Sequence, residues 1–458
     1  MKKPLLPVLA VILSAGSALA GDTEGLRTGL GEMLSVLTLG AVSAPAEPAS
    51  VTQTGSDFHI QIPLSGFTAP PGAAAEAVAR PAENGAWTLS ALSFPAEGAI
   101  GPGIDRSVSY TLGQQTIRGR LDPSLSTASQ ISASLGTITL QSTAGGRDSE
   151  QTLNRLTLDA NMSATADGRV DILGRESAEN WHATAKDPAT SSSVRDLQGH
   201  FALNGLDRAE AEKLLIAARS LSAMPPNQAQ HQGLRTLLDA TNGLLSHFDV
   251  DETVDGVEFN LGGGRAGSLG RMQLLLNGGA ENHIVNATAD VAADEATWAS
   301  MSSDMAGFMP HHVTARSVFA GLPVAPLMAL LRAATAPDAN LAVLQRQAAA
   351  LLNLPGARAA IESLDFDAGP LHVHGSVKFT PRPNGETGAD IHLTASGMSG
   401  LMARVQGNAR LRQIVPVLFI AQGLGRPGGD GTVWDIAVGG GPLTINGTAF
   451  GQVLGKTR

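Results

Sequence analysis

From Ala86 to about residue 200 this chain alternates apolar side chains with Ser, Thr and Gln, and that period of two limits the fold more than any other feature. Trp87-Thr88-Leu89, Val108-Ser109-Tyr110-Thr111-Leu112, Ile138-Thr139-Leu140, Leu156-Thr157-Leu158 and Val170-Asp171-Ile172 each place apolar groups on one side of a strand and polar groups on the other. One buried face and one wet face is the chemistry of an antiparallel meander; strands of a βαβ fold read as unbroken apolar runs. Asp167-Gly168 is a turn between two such strands. Upstream, Val51 to Thr54 and Phe58 to Leu64 form a hairpin around Gly55-Ser56, with Phe58, Ile60, Ile62 and Leu64 on one face.

Past residue 197 the rhythm changes. Leu364-Asp365-Phe366 matches Trp434-Asp435-Ile436, and Gly369-Pro370 through Ser376 matches Gly441-Pro442 through Thr448, so one hairpin plan is used twice. Each copy follows a strand, a Gly with a large apolar residue, and a helical region: helices near 325–335 and 338–353 in one, 399–423 in the other. A third copy starts at His200 to Leu206, with helices near 207–223 and 231–247 and strands around Val257 and Met272 to Leu276. A further helix is expected from Asp294 to Phe308, with Trp298, Met301 and Met305 on one side. No unit of this kind hides its own apolar face, so neighbouring units must extend one sheet while helices cover it. The expected fold is α+β: a large curved antiparallel β-sheet, a meander covered by helices and built from strand–helix–hairpin repeats.

Lys2 and Lys3, an apolar run from Leu5 to Leu13 and Ala18-Leu19-Ala20 have the order of a secretory signal peptide, which predicts cleavage after Ala20 and a periplasmic location. The run is shorter than the roughly 20 residues of a membrane-crossing helix, and no later run reaches that length, so no transmembrane segment is expected after cleavage. Cysteine is absent, which removes lipid attachment, disulfides and thiolate chemistry. The expected organisation is a leader at 1–20, an N-terminal helix plus β-meander at 21–197 and repeats at 198–458, divided near 198–311, 312–389 and 390–458. Leu26, Leu30, Met33, Leu34 and Leu37 give that first helix one apolar face, and a Pro/Ala/Ser linker follows from Ala41 to Ser50. With 31 basic and 41 acidic residues the net charge is −10, and −12 without Lys2 and Lys3. That sign works against binding phosphate backbones or an anionic membrane surface, so no nucleic-acid partner is expected.

In plan, the leader, the meander and units ending in an apolar, Gly and Asn-Gly hairpin such as Leu443-Thr444-Ile445-Asn446-Gly447 resemble the YdgA-like periplasmic proteins of Gram-negative bacteria. The chain departs from them in lacking a retained N-terminal anchor. The resemblance implies an envelope protein with no established catalytic activity and transfers no functional residue.

Gly262-Gly263-Gly264-Arg265-Ala266-Gly267 satisfies the dinucleotide fingerprint, but Met272 to Leu276 reads as a strand where a helix is required, so a Gly-rich turn is expected. Ser268, in Ala266-Gly267-Ser268-Leu269-Gly270, is one residue away from a nucleophile elbow and lacks the helix that would present it. His372 and His374 lie two apart on a strand and share a face, where Asp365 or Asp367 could join them and His392 could neighbour them; solvent-facing meander positions are the plainer reading. Pro310-His311-His312 reads as a loop. Asp249, Asp251, Glu252 and Asp255 before Gly256 miss the calcium-loop spacing and read as a solvated acidic turn. Leu401, Met402, Val405, Leu418 and Ile420 read as helix core, or as the lining of an apolar groove. No catalytic, cofactor or metal-ligating residue is assigned. The expected function is a non-catalytic exported protein that binds a lipid or other apolar ligand, or an envelope protein partner. A structural scaffold without a ligand is the alternative, and a serine hydrolase using Ser268 the third.

Overall fold

Period-two patterning becomes strand throughout the computed structural model, which describes residues 26, 49–64, 73–100, 108–122, 125, 127–144, 147–186, 189–207, 210, 246–298, 309–336, 339–408, 411–429 and 431–449. The protein is a β-rich α+β fold of antiparallel ladders. The chain divides into two units, Met1–Gly263 and Gly264–Arg458. The boundary expected at 197/198 falls inside a strand. The helices expected at 207–223 and 231–247 lie outside the described residues except at their ends, as does most of the helix expected after residue 22; of that last helix Leu26 is described, helical and fully buried.

In the first unit the strands are β1 (Ser50–Thr54), β2 (Asp57–Pro63), β3 (Ala74–Pro81), β4 (Trp87–Ser93), β5 (Glu97–Ile100), β6 (Val108–Leu112), β7 (Gln115–Asp122), β8 (Thr127–Ala144), β9 (Arg147–Ala164), β10 (Val170–Lys186), β11 (Ala189–Leu206) and β12 (His247–Asn260). Their spatial order is β1-β2-β3-β4-β7-β8-β9-β10-β11-β12, and β8 carries β7 on its first half and β6, with β5, on its second. The hairpins at Gly55-Ser56 and Asp167-Gly168 form as expected, Gly55 and Gly168 taking the positive φ their turns require. Ile60, Ile62, Trp87, Leu89, Leu92, Leu121 and Ile172 belong to one buried cluster on a single face of this sheet.

Strands β8 to β11 run for 17 or 18 residues, about three times the usual strand length. Alternation does not hold without interruption over that distance. Leu135, Leu156, Ala178, Leu197 and Val254 form one apolar row across β8–β12. Three residues further along each strand lies a second row, Ile138, Leu153, Trp181, Val194 and Val257. Three is odd, so apolar parity changes between the rows in all five strands. Left-handed backbone at Asn180 on β10 and at Gly256 on β12 lies between the two rows.

The second unit holds β13 (Ala266–Glu281), β14 (Ile284–Asp294), β15 (Thr297–Trp298), β16 (Pro310–Pro323), α1 (Val324–Ala334), α2 (Leu341–Leu352), β17 (Arg358–Ala368), β18 (Leu371–Pro381), β19 (Thr387–Ser396), α3 (Met398–Gly407), α4 (Val415–Leu424), β20 (Arg426–Gly428), β21 (Gly431–Val438), β22 (Thr444–Ile445) and β23 (Thr448–Ala449). The main ladder is β13-β14-β16-β17-β18-β19-β21-β22-β23. The order strand, two helices, strand, strand occurs here twice, as β16-α1-α2-β17-β18 and β19-α3-α4-β21-β22, apart from the three-residue β20. Asn340 caps α2 by accepting from the amides of Ala342 and Val343, and Pro416 sits in the first turn of α4, where its missing N–H costs nothing.

The helix expected from Asp294 to Phe308 is corrected at its start. Asp294 ends β14, Glu295 is left-handed, and Thr297–Trp298 pair with Gly267-Ser268 as a strand, while Met301 and Met305 lie outside the described residues. The hairpin at 434–448 also differs from its counterpart. β21 pairs with β22 over two residues only, and Asn446-Gly447, both with positive φ, make a two-residue turn into β23. Asn446 is a turn residue, yet it keeps the place of His374: its amide donates to the carbonyl of Asp435 at 2.7 Å, so it stands opposite Asp435 as His374 stands opposite Asp365.

Candidate functional site

Most of the sequence's chemical motifs land on regular strand. Gly262, Gly263 and Gly264 all have positive φ and are followed by β13, so the glycine run is a turn ahead of a strand. Ser268 lies within β13 with its hydroxyl 2.6 Å from that of Thr297, on a flat strand and not on a sharp strand-to-helix turn. His311 and His312, expected in a loop, belong to β16. The acidic run at 249–255, expected as a turn, lies inside β12.

On the second unit the strand register sorts the side chains cleanly. Leu371 and Val373 of β18, Ala395 of β19 and Trp434 of β21 face Met398, Leu401 and Val405 of α3 and Leu418 of α4 in one apolar cluster. Trp434 Nε1 donates to the carbonyl of Ala421, 2.7 Å away, which ties α4 to that face. The opposite face is polar. There Asp294, His312, Asp367 and His372 form one row across β14, β16, β17 and β18, acid alternating with base. The next row is Thr314, Asp365, His374 and Thr394. His392 and Asp435 pair across β19 and β21.

Every one of these histidines turns Nδ1 to a carboxylate: His312 to Asp294 at 2.5 Å, His372 to Asp367 at 2.5 Å, His374 to Asp365 at 2.6 Å and His392 to Asp435 at 2.7 Å. Arg426 joins Asp435 from β20. The hydrogen bond from His312 to Asp294 raises the pKa of that histidine above its ordinary value despite some desolvation. The bond from His392, with Arg426 beside it, holds the carboxyl of Asp435 below the usual range. Sequence spacing placed His372 and His374 on one face; the cross-strand aspartates became specific partners only through register. Among the described residues no three His, Asp or Glu side chains converge to hold a metal.

A second polar feature was missed in the sequence. One row of the first unit's sheet runs through nine strands as Ile60, Ala77, Leu92, Ile117, Ala133, Leu158, Glu176, Gly199 and Glu252. Two glutamates thus end an otherwise apolar row. Glu252 is only 7 % exposed, and burial, with the negative charge of Glu252, pushes Glu176 up to about 7. The available signal was parity: Val250-x-Glu252-x-Val254 puts the carboxylate among the apolar positions of β12.

The third feature is apolar and exposed. On α4, Val417, Phe419 and Ile420 are 63 %, 51 % and 47 % exposed, although Leu418 between them packs inward. Ile420, expected in the core, is corrected to a surface position, because the one face of this apolar helix that the sheet covers is the Leu418 face. Leu401 and Val405 are buried as expected, and Met402 is partly so. No helix among the described residues is long and apolar enough to cross a membrane. Comparison of the chain with family models, with characterised proteins and with solved structures gives no match.

Proposed function

We propose that this chain is an exported, non-catalytic protein of the cell envelope that binds the apolar part of an amphipathic lipid against the exposed face of α4. The observation that carries the reading is the cluster of Val417, Phe419 and Ile420 on one short helix, since large apolar side chains grouped at the surface mark a binding surface more often than a bare one. The Lys2-Lys3 leader with its Ala18-Leu19-Ala20 site and the plan shared with YdgA-like proteins support export and a periplasmic location. The strand–helix–helix–hairpin order of the second unit reads as a repeat whose helices cover one sheet face, with α4 turning Leu418 inward and Val417, Phe419 and Ile420 outward.

Native mass spectrometry of the protein taken from the compartment to which it is exported tests the reading. A co-purifying lipid mass that disappears in the Val417→Ser/Phe419→Ser/Ile420→Ser variant is the expected result. A clean unliganded mass for the parent protein overturns it in favour of a scaffold without a small ligand. Export itself is checked by N-terminal sequencing, which should begin at Gly21; a chain retaining Met1 overturns that part.

A further inference from the structure

We propose that His372 and His374 form a two-histidine chelate for a late first-row divalent ion, Cu(II) or Zn(II), on the polar face of the second unit. The proposal is independent of lipid binding at α4, which lies on the other side of β18.

Residues i and i+2 of a strand point the same way about 6.6 Å apart. Two surface histidines at that spacing can share one ion if their rings lean together, and both side chains are more than half exposed. What distinguishes this pair is the partner of each ring. A carboxylate accepts hydrogen bonds and does not donate them, so Asp367 fixes the proton of His372 on Nδ1, and Asp365 does the same for His374. Each neutral ring then carries its lone pair on Nε2, away from the aspartate. A carboxylate behind a ligating histidine is the usual outer arrangement of metal sites, where it sets tautomer and orientation and strengthens the donor.

Here two such Asp–His units stand side by side on β17 and β18, held in register by the paired strands. Asp294 adds negative charge to the same polar face through its row with His312 and Asp367. Imidazole donors suit copper and zinc, with copper the tighter of the two. Two protein ligands leave the remaining positions on the ion for water or a partner's donor, so the site is open.

Isothermal titration of the EDTA-stripped full chain with CuCl2 or ZnSO4 at neutral pH tests this. One ion per chain is expected. His372→Ala and His374→Ala should each weaken it at least tenfold, because either change removes the chelate. Asp365→Asn and Asp367→Asn should weaken it by roughly 10-fold or more by losing the outer carboxylate. His182→Ala, an exposed histidine of the first unit, should leave it unchanged. The three histidines are exposed and the two aspartates half-buried at the surface, so circular dichroism should report an unaltered fold. A parent chain that binds neither ion, or a His372→Ala/His374→Ala variant that binds as tightly as the parent, overturns the site. Unchanged affinity in both Asp→Asn variants overturns the positioning role of the carboxylates.

Discussion

Glu176 and Glu252 stand on β10 and β12 with only Gly199 of β11 between them, and a Cβ at Gly199 would lie 3.0 Å from Cγ of Glu176. The glutamate side chain therefore lies over the glycine, inside a row that is otherwise apolar. Burial disfavours the charged carboxylate of Glu176, the negative charge of Glu252 adds to that cost, and its raised pKa is the consequence.

That shift makes stability depend on pH. With a folded pKa of about 7 against an ordinary value of 4.5, Glu176 binds a proton more readily in the folded state. Its contribution is complete below the unfolded pKa and is lost as pH rises through the folded one. Denaturant midpoints should fall between about pH 4.5 and 7 by an amount equivalent to about 1–3 kcal/mol, allowing for partial solvent access. Glu176→Gln should remove most of that slope, measured by urea unfolding at pH 5 and pH 8.

Gly174 makes room for an aromatic ring. A Cβ there would come within 2.2 Å of Cζ of Phe201, a buried residue of the first unit's core. Gly174→Ala should destabilise the protein by about 1–3 kcal/mol, since the added methyl must displace a ring that is buried in the core. Chemical denaturation of the variant against the parent measures it, and an unchanged midpoint would contradict the packing.

Asn446 joins three segments. Its Oδ1 accepts from the amide of Asp435 at 2.8 Å, and its Nδ2 donates to the carbonyls of Leu424 at 2.7 Å and Val433 at 3.3 Å. Asn446→Ala loses all three bonds and places alanine at φ 49°. A loss of about 2–3 kcal/mol is expected, with Asn446→Gly milder because glycine keeps the backbone conformation. Thermal melts of the two variants should rank in that order.

His312 should titrate above the ordinary histidine value because its ring bonds Asp294. This pair stabilises the fold fully below pH 6.5, and the effect fades as pH rises through the higher folded value. Two-dimensional NMR of the ring protons should show the raised midpoint, and Asp294→Asn should return it toward 6.5. The same midpoint in parent and variant would refute the hydrogen bond as the cause.

The alternation from Ala86 to residue 200, the hairpin at Gly55-Ser56 and the shared face of His372 and His374 could be read directly, because side-chain direction along a strand depends only on local backbone period. Local reading failed where period depends on neighbours. The acidic run at 249–255 looked like a turn by composition, yet pairing with β11 made it strand and drew Glu252 into an apolar row. Ile420 looked like core because α4 is apolar all round, and only docking through Leu418 and Trp434 decided which face the sheet covers.

By itself, then, the sequence determined strand period, turn chemistry and the polarity of each strand face, all of which arise within a few residues of chain. Register belonged to the tertiary structure. It set Asp365 against His374, Glu176 against Glu252 and one parity change beside the next across five strands, because an antiparallel ladder joins residues far apart in sequence and one residue of slip would exchange every face.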